Sequence, residues 1–128
     1  MKKISKLLVV IIVILISNKL SAQIDTYNYI KEFETQKANY IGKPFSILMN
    51  NIVQVQPIKI WSFPDGQKKI LSYNTKFYYI DAILVVEWQE PIPREQTKYY
   101  ENKNQCKFTS DEKTFFGNKI IKDIVVYK

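Results

Sequence analysis

Histidine, the side chain most often used to move a proton near neutral pH, does not occur anywhere in the sequence. Its absence removes Ser-His-Asp and Cys-His catalysis within the chain, and histidine-ligated zinc with them. Cys106 is the single cysteine, so neither an internal disulfide nor a thiolate metal cluster can form. It is expected to be a small, partly buried hydrophobe; an intermolecular disulfide or a reactive thiol is the alternative. Besides lysine and tyrosine, this leaves the carboxylates for acid–base work. In YIDAILVVEWQ, Tyr79 to Gln89, an extended chain would put Asp81 and Glu87 on one face. They would stand about 20 Å apart at roughly 3.3 Å per residue, beyond the roughly 5–10 Å of paired glycosidase carboxyls. Glu87 and Gln89 are closer, but a carboxylate with an amide is a weak catalytic pair. Asp65 and Asp111 suit a turn and a helix cap. No catalytic residue, metal ligand or cofactor is expected.

Gly42-Lys43-Pro44-Phe45-Ser46 has the glycine, lysine and hydroxyl of a phosphate loop without its order. Such a loop needs several glycines before the lysine and a Ser or Thr directly after it. Here one glycine precedes Lys43 and a proline follows. A residue before proline is driven from the helical region, so the segment is better understood as a helix corner: Gly42 in the left-handed conformation past a first helix, Pro44 in the first turn of a second.

The aromatic residues are 9 Tyr, 7 Phe and 2 Trp, and all follow residue 22. Phe77, Tyr78 and Tyr79 are consecutive, so at least one must turn away from the core. Tyr99 and Tyr100 face the same constraint. Half-exposed tyrosines favour interfaces and sugar-binding surfaces, which makes Tyr78, Tyr99 and Tyr100 the candidate binding residues, against packing at sheet edges as the alternative.

These side chains must be held by the elements that follow an N-terminal leader. Lys2, Lys3 and Lys6 precede the ten-residue apolar run Leu7 to Ile16, and SNKLSA ends in small residues at Ala22. This is the order of a secretory signal, and the run is shorter than the roughly 20 residues of a membrane-spanning helix. Cleavage after Ala22 is expected. Residues 23–128 then form one domain with no stable membrane span, in the periplasm or outside the cell. Of the 19 basic residues four lie in 1–22, and none of the 12 acidic ones do, so the chain from 23 carries 15 basic and 12 acidic residues, a net +3. Its lysines are interleaved with Glu90, Glu95 and Glu101, unlike the basic stripe of a nucleic-acid binder.

Asp25 or Thr26 can cap a first helix whose apolar stripe is Tyr29, Ile30, Phe33, Tyr40 and Ile41, with Lys37 snorkelling out of it. Phe45, Leu48, Met49 and Ile52 follow the i, i+3, i+4, i+7 pattern of a second helix. β-Branched and aromatic runs come next. Ile58 to Phe63 and Lys69 to Tyr73 flank Pro64-Asp65-Gly66 as a hairpin, Asn74-Thr75-Lys76 is expected to bend, and Tyr79 to Gln89 is the strongest strand, ended by Pro91 and Pro93. Its apolar residues, Leu84, Val86 and Trp88 on one face and Ile83 and Val85 on the other, predict a central strand. Residues 94–104 fit a short helix, an edge strand or a loop. Thr109 and Glu112 have the spacing of a capping box, predicting a short helix through Phe116, with a hairpin as the competing possibility. Lys119 to Tyr127 reads as the last strand, with Ile121, Val125 and Tyr127 on one face. The fold class is α+β: two N-terminal helices on an antiparallel sheet of about four strands, with a possible short helix before the last.

YIGKPFSIL, VVEWQEPIP and FFGNKIIKDIVVY, with a short lysine-rich leader ending in SAQ, resemble small exported proteins of unknown function from Bacteroidetes. The resemblance implies export and a single domain and carries no activity. The expected function is a non-enzymatic module that binds a protein, peptide or envelope component. A small carboxylate-dependent hydrolase is the alternative, and an inhibitor or immunity-type role lies within the binding class.

Overall fold

A computed structural model describes residues 24–65 and 68–128. The expected leader, 1–22, and the expected turn glycine Gly66 lie outside the described residues. The described chain is α+β, with its strands in sequential antiparallel order, β1-β2-β3-β4.

Helix α1 (Thr26–Thr35) starts where the Asp25 carboxylate accepts the Asn28 amide at 3.2 Å. It ends earlier than its apolar stripe suggests. A 3-10 turn at Lys37–Asn39 follows, which buries Tyr40 and leaves Ile41 exposed. Lys37 does not simply snorkel; its ammonium meets Asp123 at 2.9 Å. Gly42 has φ +81°, and the chain then enters α2 (Phe45–Asn51) with Pro44 as N-cap rather than inside the first turn. Phe45, Leu48, Met49 and Ile52 are all buried.

The hairpin of β1 (Lys59–Asp65) and β2 (Leu71–Tyr79) is present, but Pro64 and Asp65 belong to the strand and the connection comes after them. Asn74-Thr75-Lys76 is not a bend. It lies inside β2, where the Thr75 hydroxyl is buried and accepts the Trp88 indole N–H at 2.9 Å. The turn is Ile80-Asp81, with Asp81 at φ +60°, so β3 (Ala82–Pro93) begins later than predicted and Asp81 is not on the strand. β3 continues through Pro91 to Pro93, because β4 stops pairing with it at Trp88. Beyond that point β3 is an edge, where a missing N–H is tolerated.

The uncertain segment is a helix, α3 (Arg94–Lys103). Thr109 and Glu112 form the capping box of α4 (Ser110–Gly117). β4 (Ile121–Tyr127) carries a bulge: Glu87 pairs with Asp123 but Trp88 with Ile121. The extra residue, Lys122, changes the phase of the strand, so Ile121, Ile124 and Val126 all face the core and the predicted grouping of Ile121 with Val125 and Tyr127 fails.

One core joins Ile30 of α1, the buried side of α2 and Phe116 of α4 to the inward rungs of the sheet, Ile60-Phe77-Leu84-Val126 and Ser62-Thr75-Val86-Ile124. At its centre Phe45 stacks on Phe77 (4.7 Å between centroids) and Trp88 on Phe116 (5.6 Å). The outward rungs, among them Lys59-Tyr78-Ile83-Tyr127, are half-buried or exposed.

Both edges of the sheet are capped. On β1, the Ile60 amide donates to the Cys106 carbonyl at 2.8 Å and the Ser62 amide to Glu101 Oε1 at 2.9 Å; Pro64 has no N–H to offer. On β4, the Ile121 amide donates to the Lys43 carbonyl at 3.0 Å, Ile124 to Asp123 Oδ1 at 2.9 Å and Val126 to Glu34. Edges closed in this way do not offer their amides to a further strand.

Candidate functional site

Two of the three tyrosines singled out from the sequence come together. Arg94 starts α3 directly after Pro93, its amide donating to the Ile70 carbonyl at 2.8 Å. From this start Glu95, Gln96, Tyr99 and Tyr100 fall one turn apart on a common side. With Phe115 of α4 they line a groove of about 540 Å³, within the range of small-ligand sites. Tyr100 packs on Phe115 (centroids 4.6 Å apart, tilted), and Tyr99 stands edge-on to Tyr100 at 5.1 Å. Phe115 in turn meets Phe116 at 4.9 Å, so the groove is anchored on the core.

Tyr99 is 58% exposed and Tyr100 half-buried. The Lys119 ammonium lies 4.9 Å from the Phe115 ring centroid and that of Lys103 lies 6.0 Å from Tyr99. Lys103 is also paired with Asp111 at 3.2 Å, and the hydrogen bond from the Asn104 side-chain amide, followed by that from Lys103, holds the Asp111 carboxyl below its ordinary value. Glu95 is exposed and has no hydrogen-bond or ion-pair partner among the described residues. The groove therefore offers a ligand aromatic surface, one carboxylate and one amide. Sequence reasoning found Tyr99 and Tyr100 but missed Phe115 and Gln96. Phe115 reads as core, and the signal for Gln96 becomes visible only once 94–103 is known to be helical.

Tyr78 is not part of this groove. It is half-buried on the outer face of β2, between Lys59 and Ile83.

The carboxylates considered for catalysis do not converge. Asp81 sits in the β2–β3 turn, Glu87 lies on the outer face of β3 and meets Lys122 at 3.4 Å, and Glu95 lines the groove. The buried polar side chains have structural partners. Glu101 binds the Arg94 guanidinium as well as the Ser62 amide; Ser62 and Thr75 share a hydroxyl hydrogen bond of 2.7 Å. Glu112 accepts from Asn104 Nδ2 at 2.6 Å and from the Thr109 amide at 2.9 Å. Cys106 is half-buried, and burial pushes its thiol up, away from the thiolate. Among the described residues no group of three or more Cys, Asp or Glu side chains is arranged to hold a metal ion.

Two further concavities are smaller. One of about 320 Å³ is lined by Gln89, Glu90, Asn118, Lys119 and Ile120, of which Lys119 also stands over the Phe115 ring. The other, about 150 Å³, lies against Tyr79, whose buried hydroxyl has no hydrogen-bond partner and whose proton burial holds firmly in place. Comparison with protein-family models, curated proteins and solved structures finds no match to the chain.

Proposed function

We propose that this is an exported, non-enzymatic binding module that takes a protein, peptide or envelope component into the groove between α3 and α4. The carrying observation is the joining of Tyr99, Tyr100 and Phe115 in one groove beside the unpaired carboxylate of Glu95. Exposed aromatic rings on a rigid helix give large contact area at little entropic cost, and interface energy concentrates in such anchors. The closed sheet edges favour this groove over strand addition as the mode of binding. Export rests on the order of residues 1–22 and on the resemblance to small exported proteins of Bacteroidetes. The dispersal of Asp81, Glu87 and Glu95 speaks against a carboxylate hydrolase.

The test compares capture of envelope components by immobilised residues 23–128 with capture by single variants. Tyr99→Ala should weaken retention of a specific partner by about 2 kcal/mol, the scale of an exposed aromatic anchor, while Tyr78→Ala and Glu87→Gln leave it intact. Retention unchanged in Tyr99→Ala and lost in Tyr78→Ala would move the site to the outer sheet face.

A further inference from the structure

The pairs Lys59–Tyr78, Tyr78–Ile83 and Ile83–Tyr127 place the beginnings of β1 and β3 and the ends of β2 and β4 at one pole of the sheet. The start of α1 and the segment leading into β1 are there as well, since Thr26, Val55, Gln56, Ile58, Tyr79 and Ile80 line one small cavity. The pole is rich in exposed aliphatic side chains. Ile80, at the tip of a two-residue turn, is 66% exposed, and Ile58 is 49% exposed. Ile24 and Val53, each two residues before a lining residue, are exposed too, Val53 by 71%. Single exposed apolar residues are ordinary. Four branched aliphatics on three segments at one pole, two of them in the connection between α2 and β1 and one at a turn tip where polar residues are usual, form a patch that calls for a partner.

The chain itself indicates which partner. Residue 24 is where the segment 1–23 joins the described domain, and that segment contains the apolar run Leu7 to Ile16. The stretch from Ser17 to Gln23 spans at most about 25 Å even when fully extended. Until the chain is cleaved after Ala22, an apolar run lodged in the membrane holds this pole close to the same surface. Lys59, Lys107 and Lys128 lie at this pole, suited to lipid phosphates, alongside two acids: Asp25, engaged as a helix cap, and Asp81 in the turn. We infer that the pole seats on a lipid bilayer, with Ile24, Val53, Ile58 and Ile80 entering the boundary between headgroups and acyl chains and the lysines meeting phosphates. This seating does not depend on the groove. It does orient it: α3 starts at the far end of β3 and runs back along β1 towards the pole, so Glu95 and Gln96 lie at the end of the groove farther from the membrane.

The experiment uses the chain from Gln23, because every residue of the core lies between Ile30 and Val126 and the apolar run would insert by itself. Co-sedimentation is measured with vesicles of phosphatidylethanolamine and phosphatidylglycerol. The protein should pellet with the vesicles. The double variant Ile58→Asp, Ile80→Asp, checked for an unchanged melting temperature, should partition about tenfold less or weaker, and Tyr99→Ala should partition as the wild type does. A wild-type protein that stays in the supernatant, or a double variant that pellets equally well, overturns the inference. So does a concentration-dependent dimer that ignores vesicles, which would assign the patch to a second copy of the chain.

Discussion

At the scale of single residues, Gly42 and Tyr79 give opposite expectations. At φ +81° a Cβ added to Gly42 would meet nothing within 4 Å, so the cost of a substitution there is backbone strain alone. Gly42→Val should lower stability by about 1 kcal/mol or more in chemical denaturation, whereas Lys43→Ala, which alters only an exposed side chain, should change it by less than about 0.5 kcal/mol. Equal effects of the two would contradict the corner. Tyr79 is buried with its hydroxyl unpaired. Removing a buried polar atom that has no partner relieves its desolvation, so Tyr79→Phe should be neutral or stabilising by up to about 1 kcal/mol. A loss of more than about 1 kcal/mol would mean that the hydroxyl is bonded after all.

At the scale of elements, the sheet depends on the groups that close its edges. Glu101 is almost fully buried and joins the Arg94 guanidinium to the Ser62 amide. Glu101→Ala leaves the Ser62 amide without its acceptor and the Arg94 charge without its counter-ion, although Arg94 still donates to Thr97 Oγ1 at 2.9 Å, and should cost about 3 kcal/mol. Glu101→Gln keeps an acceptor for Ser62 and should cost less. On the opposite edge, the hydrogen bond from Lys37, with help from the Ile124 amide, holds the Asp123 carboxyl below its ordinary value. The unfolded chain therefore takes up this proton at higher pH than the folded one. The stabilisation is whole at neutral pH and is lost as pH falls through the ordinary carboxylate value towards the depressed one. Asp123→Asn should melt below the wild type at pH 7, and the two should converge once the pH falls below the depressed carboxyl value. A difference that persists in acid would show that the carboxylate's charge is not what matters.

The same elements mark what the sequence could convey. Both N-terminal helices, the hairpin of β1 and β2, the capping box and the positive φ of Gly42 were legible because each follows from local chemistry: an N-cap, a 3.6-residue stripe, a residue barred from the helix by the proline after it. The β2–β3 turn was not. Its tip is Ile80, an apolar residue where polar ones are expected, while Asn74-Thr75-Lys76 has turn composition but is held in the strand by the bond from Trp88 to Thr75. The cap on β1 was hidden for a related reason. Gln105 and Cys106 both take positive φ without being glycine, and this brings the Cys106 carbonyl to Ile60. In the groove, Tyr99 and Tyr100 were foreseen from their exposure dilemma, whereas Phe115 is brought to them only by the packing of α4 against the core.

At the scale of the whole molecule, the sheet separates two surfaces of different character. One pole carries exposed aliphatics where segment 1–23 joins, and the aromatic groove opens near the other end of β3. The edge amides are bonded within the chain and are not offered to another strand, so the proposed recognition falls to side-chain surfaces. The measurement that tests this most directly is amide chemical-shift mapping of residues 23–128 titrated with the partner retained in the capture experiment. Saturable shifts should concentrate at Glu95, Gln96, Tyr99, Tyr100 and Phe115, with Tyr78, Ile83 and Val125 on the outer sheet face unmoved. Shifts concentrated on that outer face, with the groove unmoved, would contradict the proposed binding site.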